Sequence, residues 1–258
     1  AAFCGLTGLK TSKACLPTDG IMPLSHSLDT PGPMARSVMD VALMLAVMQG
    51  RESWRIEYDC EHHTGLFNKF SDSVSGLKFG VLDDSERRNC SIDTLASYDD
   101  AVNRLVALGA EIKVFTAPEY YVDLAAANGV ITIYEGYGYH KEFYDNPQAL
   151  MDEDVRKRML TGSGLNPASQ VERLSAQRQC QKRFNTALKG FDALLTPTIT
   201  ESAPLLSEID QDISPGHYTR PFNYLDMCAL SMPTLETVGC LPTSLQIVAR
   251  SGQESLVL

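Results

Sequence analysis

Apolar positions along the chain change period several times, and each change marks an element. From Met34 onward, Val38, Val41, Ala42, Leu45 and Met48 recur at three- and four-residue steps. That period lays them on one helix face, predicted from about Ala35 to Met48, entered through Pro31 and Pro33 and closed by Gly50. Residues 51–75 lose the period and are predicted as an irregular surface excursion. GLKFGVLD (Gly76–Asp83) is short, apolar and bounded by turn residues, as a buried strand is. Ile92 to Leu108 returns to the helical period and stops at Gly109, and AEIKVFTAP (Ala110–Pro118) alternates as a strand. Strand, helix, strand, with a helix long enough to cross over, is the βαβ unit of an α/β fold.

The remaining stretches are less regular. Residues 1–33, rich in Gly, Pro, Ser and Thr, read as loops and short strands. A helix is predicted across 119–145, through Tyr134, Tyr137, Tyr139 and Tyr144, whose rings fit either the core and its rim or the lining of an apolar pocket. Asn166 to Leu188 reads as a long helix opened by Pro167. FDALLTPT (Phe191–Thr198) is a buried strand stopped by Pro197; Ile199 to Pro242 is proline-containing and predicted loop-rich; TSLQIVAR (Thr243–Arg250) is a last strand. No internal repeat or linker interrupts the pattern, so residues 1–258 are expected to be one domain.

Composition narrows the function. With 258 residues, 44% of them hydrophobic, the chain can bury a substantial core. Its formal net charge of −10 repels phosphate backbones, and no nucleic-acid partner is expected. Glu86-Arg87-Arg88 and Arg156-Lys157-Arg158 read as solvated faces. The seven cysteines have no C-x-x-C spacing and sit in apolar company, which fits reduced thiols and a cytoplasmic location. No apolar run reaches membrane-spanning length, and no membrane partner is expected. Cys4, His26, His62, His63, His140 and His217 have no spacing that brings them together as a Cys/His site. Glu61-His62-His63 does not converge on a metal as H-E-x-x-H does. Asp152-Glu153-Asp154 lacks the EF-hand spacing and reads as a charged helix start. No metal is expected.

Several stretches, in order, resemble the amidase signature family. AAFCGLTGLK (Ala1–Lys10) and PLSHSLDTPGPMARSVMDVALML (Pro23–Leu45) are similar to its Ala-Phe-Cys-Gly run, Gly-Leu-Lys and Ser-Leu-Asp-x-x-Gly-Pro with a following helix. FDALLTPTITESAP (Phe191–Pro204) is similar to its Asp-x-Leu-x-x-Pro-Thr strand and loop. TRPFNYLDMCALSMPT (Thr219–Thr234) and GCLPTSLQIVAR (Gly239–Arg250) are similar to an aromatic-Asn segment, a Pro-Ala-x-Ser-x-Pro loop and a Leu-Pro-x-Gly-x-Gln strand. GLKFGVLD and LVALGAEIKVF also fit.

The resemblance implies an α/β fold: a large mixed β-sheet flanked by helices on both faces. It also implies cofactor-free hydrolysis of a carboxamide C–N bond through a serine acyl-enzyme. The family's apparatus is a lysine, a bridging serine and a nucleophilic serine. A serine hydroxyl needs a base, and a lysine held neutral can take its proton through the middle serine. In the family's order this apparatus precedes the alanine that Ala1 matches. All three residues are therefore expected upstream of Ala1, with the N-terminal part of the fold, and no catalytic residue is assigned within the chain. Lys10, Ser12 and Ser25 are not given those roles. Alone, the chain is predicted inactive, marginally stable and aggregation-prone; a cooperative, monomeric melt would count against that.

Substrate-side candidates are Thr219, Arg220 and Asn223, for which ion pairing of Arg220 and turn capping by Asn223 are the structural alternatives. Asp29 is expected to hold loop geometry near the site by accepting backbone hydrogen bonds, and Ser231 is given a similar loop-structuring role near the site. The chain departs from the pattern at Thr11–Cys15, where the family has Pro-Thr-x-Gly-Arg, at Thr234-Leu235, and at Ser244, where it has glycine. Loss of glycine puts positive-φ geometry there in question. The expected partner is a small-molecule amide, with a second polypeptide carrying the missing part as a further expectation. Two other functions fit: a non-catalytic remnant or binding subunit, and the glutaminase-type subunit of a tRNA amidotransferase.

Overall fold

Alternation along the strands sorts side chains onto two sides of a sheet. Leu194 and Leu195, neighbours in sequence, are both fully buried, yet they enter different apolar layers. Leu194 packs with Leu82, Phe115, Phe184 and Phe222; Leu195 packs with Val41, Leu45, Tyr98 and Leu245. The computed structural model describes residues 1–62, 65–67, 73–210, 214–238 and 241–258.

The strands are β1 (Thr7–Lys10), β2 (Met34–Ala35), β3 (Lys78–Leu82), β4 (Glu111–Phe115), β5 (Ala193–Pro197), β6 (Cys228–Val238) and β7 (Leu241–Ala249). They form one mixed sheet in the order β2-β1-β6-β7-β5-β3-β4. β3 runs parallel to β4 and β5, while β5, β7, β6, β1 and β2 pair antiparallel in succession. One face is covered by α5 (Leu124–Asp145), α7 (Pro167–Ala187) and α8 (Arg220–Tyr224), which supply Ile131, Phe184 and Phe222. The other is covered by α1 (Val38–Met48), α4 (Ile92–Ala107) and α9 (Glu254–Val257), through Leu45, Tyr98 and Val257. The expected mixed sheet with helices on both faces is thus present, and β3, α4 and β4 form the anticipated crossover. Among the described residues no helix is long and apolar enough to cross a membrane.

Four expectations are corrected. Residues 51–75 are not wholly irregular: α2 (Ser53–His62) occupies part of them, Arg51 pairs with the buried Asp59, and Phe67 is fully buried. The first helix starts later, at Val38, because the Ser37 Oγ accepts from the Asp40 N–H as a cap while Met34 and Ala35 pair with β1. The stretch 199–242 contains α8 and the long inner strand β6. Pro233 does not exclude β6 because β1 pairs only with Ala229–Ser231, so proline's missing N–H faces no neighbour on that side, and a register shift follows it on the β7 side. The charged triplets are not simply solvated. Glu86, in the short α3 (Asp84–Arg87), is buried, and Arg156, in α6 (Glu153–Leu160), is buried and donates to the carbonyls of Tyr144, Asn146 and Ala149. Asp152 caps α6 through the Asp154 and Val155 N–H groups, as a charged helix start does.

Candidate active site

Gly8 in β1 lies opposite Ser231 in β6, and Ser231 lies opposite Gln246 in β7. Above this row, the loop through Asp29 and the turn entering α8 enclose a cavity of about 690 Å³. The close approach of the Asp29 loop depends on Gly32, where a Cβ would collide with the Leu9 carbonyl oxygen. All five residues singled out from the sequence stand on the wall of this cavity: Asp29, Thr219, Arg220, Asn223 and Ser231.

Each is held differently. The Asp29 Oδ2 accepts from the N–H groups of Leu24 (2.8 Å) and Ser25 (2.9 Å), which closes the turn between Leu24 and Asp29. Ser231 is in a strand rather than the expected loop, and its hydroxyl is 3.1 Å from that of Thr198. Thr219, exposed, precedes α8 without capping it through its side chain. Arg220 has no carboxylate partner and no side-chain hydrogen bond among the described residues; burial, and then the nearby Arg158 charge, push its pKa down. The Asn223 Oδ1 is buried without a hydrogen-bond partner and caps nothing.

The loop carrying Asp29 is anchored from outside the cavity. Glu135 in α5 accepts from the Ser25 Oγ (2.7 Å), the Ser27 N–H (2.9 Å), the Ser27 Oγ (2.5 Å) and the Gln170 side chain (3.1 Å). Pattern reading had no means of finding Glu135, which lies 108 residues from Ser27. Gln246 was also overlooked, although it is the last residue of the Leu-Pro-x-Gly-x-Gln pattern. Its amide donates to the Thr196 Oγ1 (2.8 Å) and the Tyr218 carbonyl (3.0 Å), tying β5 and β7 to the turn before α8.

Lys10 is on the cavity wall, but its ammonium donates to the carbonyls of Thr11 (2.9 Å) and Met227 (2.8 Å). Burial lowers its pKa to about 8, against the opposing charges of Asp226 and Glu254. Ser12 and Ser25 are buried off the cavity; Ser12 Oγ accepts from Gly252 N–H at 2.7 Å. The α5 tyrosines differ in setting: Tyr144 is buried, Tyr139 is exposed, and Tyr137 bonds Asp145. Glu61 and His62 end α2, and His63 lies outside the described residues. Among the described residues no group of three or more His, Cys, Asp or Glu could hold a metal ion.

The model of the family called Amidase matches residues 1–258, the whole chain. The chain belongs to the amidase family. Similar amidase-family relatives include a glutamyl-tRNA(Gln) amidotransferase subunit of Halothermothrix orenii, 26% identical over all of this chain and 60% of that protein. The corresponding subunit of Synechococcus sp. is 29% identical over all of this chain and 55% of its own length. The chain therefore spans little more than half of the curated relatives it matches. Among solved structures, an amidase superposes with a TM-score of 0.84 at 24% identity, covering all of this chain and 57% of that one. A protein from a vestigial complex tied to the origins of an s-triazine catabolic enzyme superposes at 0.83 with 26% identity and the same coverage.

Proposed function

We propose that the protein is an amidase that cleaves a carboxamide C–N bond through a serine acyl-enzyme, and that residues 1–258 form one domain supplying the substrate-side wall of its site. The reading rests on one observation: residues from three separate family-like motifs (Asp29; Thr219, Arg220 and Asn223; Ser231) converge on a single cavity. Among the described residues no serine on that wall has a base beside it, since the Ser231 hydroxyl meets the Thr198 hydroxyl and the Lys10 ammonium is engaged by carbonyls. In this reading the nucleophilic serine, its bridging serine and its lysine come from a segment preceding Ala1 in the family's order. The chain alone is inactive. Asp29 shapes the loop; Thr219, Arg220 and Asn223 contact substrate. Free thiols at Cys4, Cys15, Cys60, Cys90, Cys180 and Cys228 fit a cytoplasmic location.

The test is ammonia release from carboxamides by the full-length protein, combined with labelling by a serine-reactive sulfonyl fluoride and peptide mapping. Release together with a label on a peptide preceding Ala1 is expected. A label on Ser12, Ser25 or Ser231 would reject the assignment, and no release from a broad amide panel would favour a non-catalytic binding role. The amidotransferase names of the relatives favour a second reading, in which the protein hydrolyses an amide as one member of a multi-chain assembly. Intact-mass analysis of the native material checks this: a stoichiometric second polypeptide supports it, and a single species counts against it.

A further inference from the structure

Arg220 is the least compensated charge on the cavity wall. The other lining cation, Lys10, donates to two carbonyls, and the lining carboxylate, Asp29, accepts from two backbone N–H groups. Arg220 does neither. Its side chain lies across Gly216, where a Cβ would come within 2.9 Å of its Cγ and 3.2 Å of its Nε. Its Nη1 reaches Gly129 of α5, where a Cβ would stand 3.7 Å away. Two glycines thus leave room for a guanidinium that no group among the described residues satisfies. A half-desolvated cation without an acceptor is costly unless a ligand brings one. The Arg158 charge disfavours the cation further.

We infer that the cavity takes a small amide that also carries a carboxylate, with the carboxylate on the Arg220 guanidinium. The inference rests on the amidase reading for the amide, and on Arg220 for the anion. A guanidinium presents paired N–H donors that match the two oxygens of a carboxylate.

The experiment is calorimetric titration of the full-length protein with succinamate and, as the neutral counterpart, butyramide. A hydrogen-bonded charged pair contributes roughly 1.5–3 kcal/mol, so succinamate should bind about 10- to 100-fold more tightly. Arg220→Met should remove the preference. Gly129→Asp should also reduce it, because it keeps Arg220 and gives it an internal carboxylate; this second variant keeps the test decisive if the first misfolds. Equal binding of the two ligands by the wild type, or a preference that survives both variants, would overturn the inference. Ammonia release is followed separately. Discrimination through Arg220 without hydrolysis would preserve the carboxylate site and reject the amidase activity; hydrolysis without discrimination would do the reverse.

Discussion

Ala14 adopts φ 63°, a left-handed conformation that costs a residue with a Cβ roughly 1–2 kcal/mol. It stands where the family pattern has glycine, the residue that adopts this conformation without that cost. Its side chain is exposed and has no packing to lose. Ala14→Gly should therefore raise stability by roughly 1 kcal/mol, read as a higher melting temperature; an unchanged or lower one would refute the strain. Ser244 is the opposite case: it too replaces a family glycine, yet it lies in β7 at negative φ, so that doubt does not materialise. Lys10 gives a second residue-level prediction. Between its folded pKa of about 8 and the ordinary 10.5, the unfolded chain keeps a proton that the native protein has lost. Stability from this group therefore rises with pH across that window, by on the order of 2–3 kcal/mol. Urea unfolding at pH 7.5 and pH 10 should show wild type gaining on Lys10→Met; a constant difference would contradict the assignment.

Elements differed in how far sequence revealed them. The β3–α4–β4 unit was legible because hydrophobic period, helix length and Gly109 agreed. β6 was hidden because Pro233 reads as a breaker until the pairing limits of β1 are known. The site followed the same division. Asp29, Arg220 and Ser231 stand in local motifs, whereas Glu135, which pins the Asp29 loop, acts through contacts that no local pattern encodes. Glu135→Ala strands the Ser25 hydroxyl, on a buried residue, and should cost about 2–3 kcal/mol. Limited proteolysis should then cut near Ser25–Asp29 faster than in wild type; equal resistance would mean that the loop holds itself.

At the scale of the molecule, the sheet must be thin enough for both layers to pack. Gly80 in β3 shows the limit: a Cβ there would stand 2.5 Å from the Leu194 Cδ2 and 2.9 Å from the Phe115 Cβ. Gly80→Ala should cost about 1–3 kcal/mol through overpacking. Phe184→Ala, which empties the layer under α7, should cost about 3–5 kcal/mol. Denaturant midpoints measure both, and near-neutral values would mean that the layers are looser than their burial implies.

The pairing of β1 with β6 also sets an order in time. The Lys10 ammonium meets the Met227 carbonyl across 217 residues, and the Ser12 N–H meets the Glu254 carboxylate across 242. During synthesis β1 leaves the ribosome long before its partner exists, while the β3–α4–β4 unit can form from neighbours already made. The cavity, walled by both ends of this stretch, is then among the last features to assemble. A nascent chain halted before β7 carries every residue of the Asp29 loop and an unfinished cavity wall.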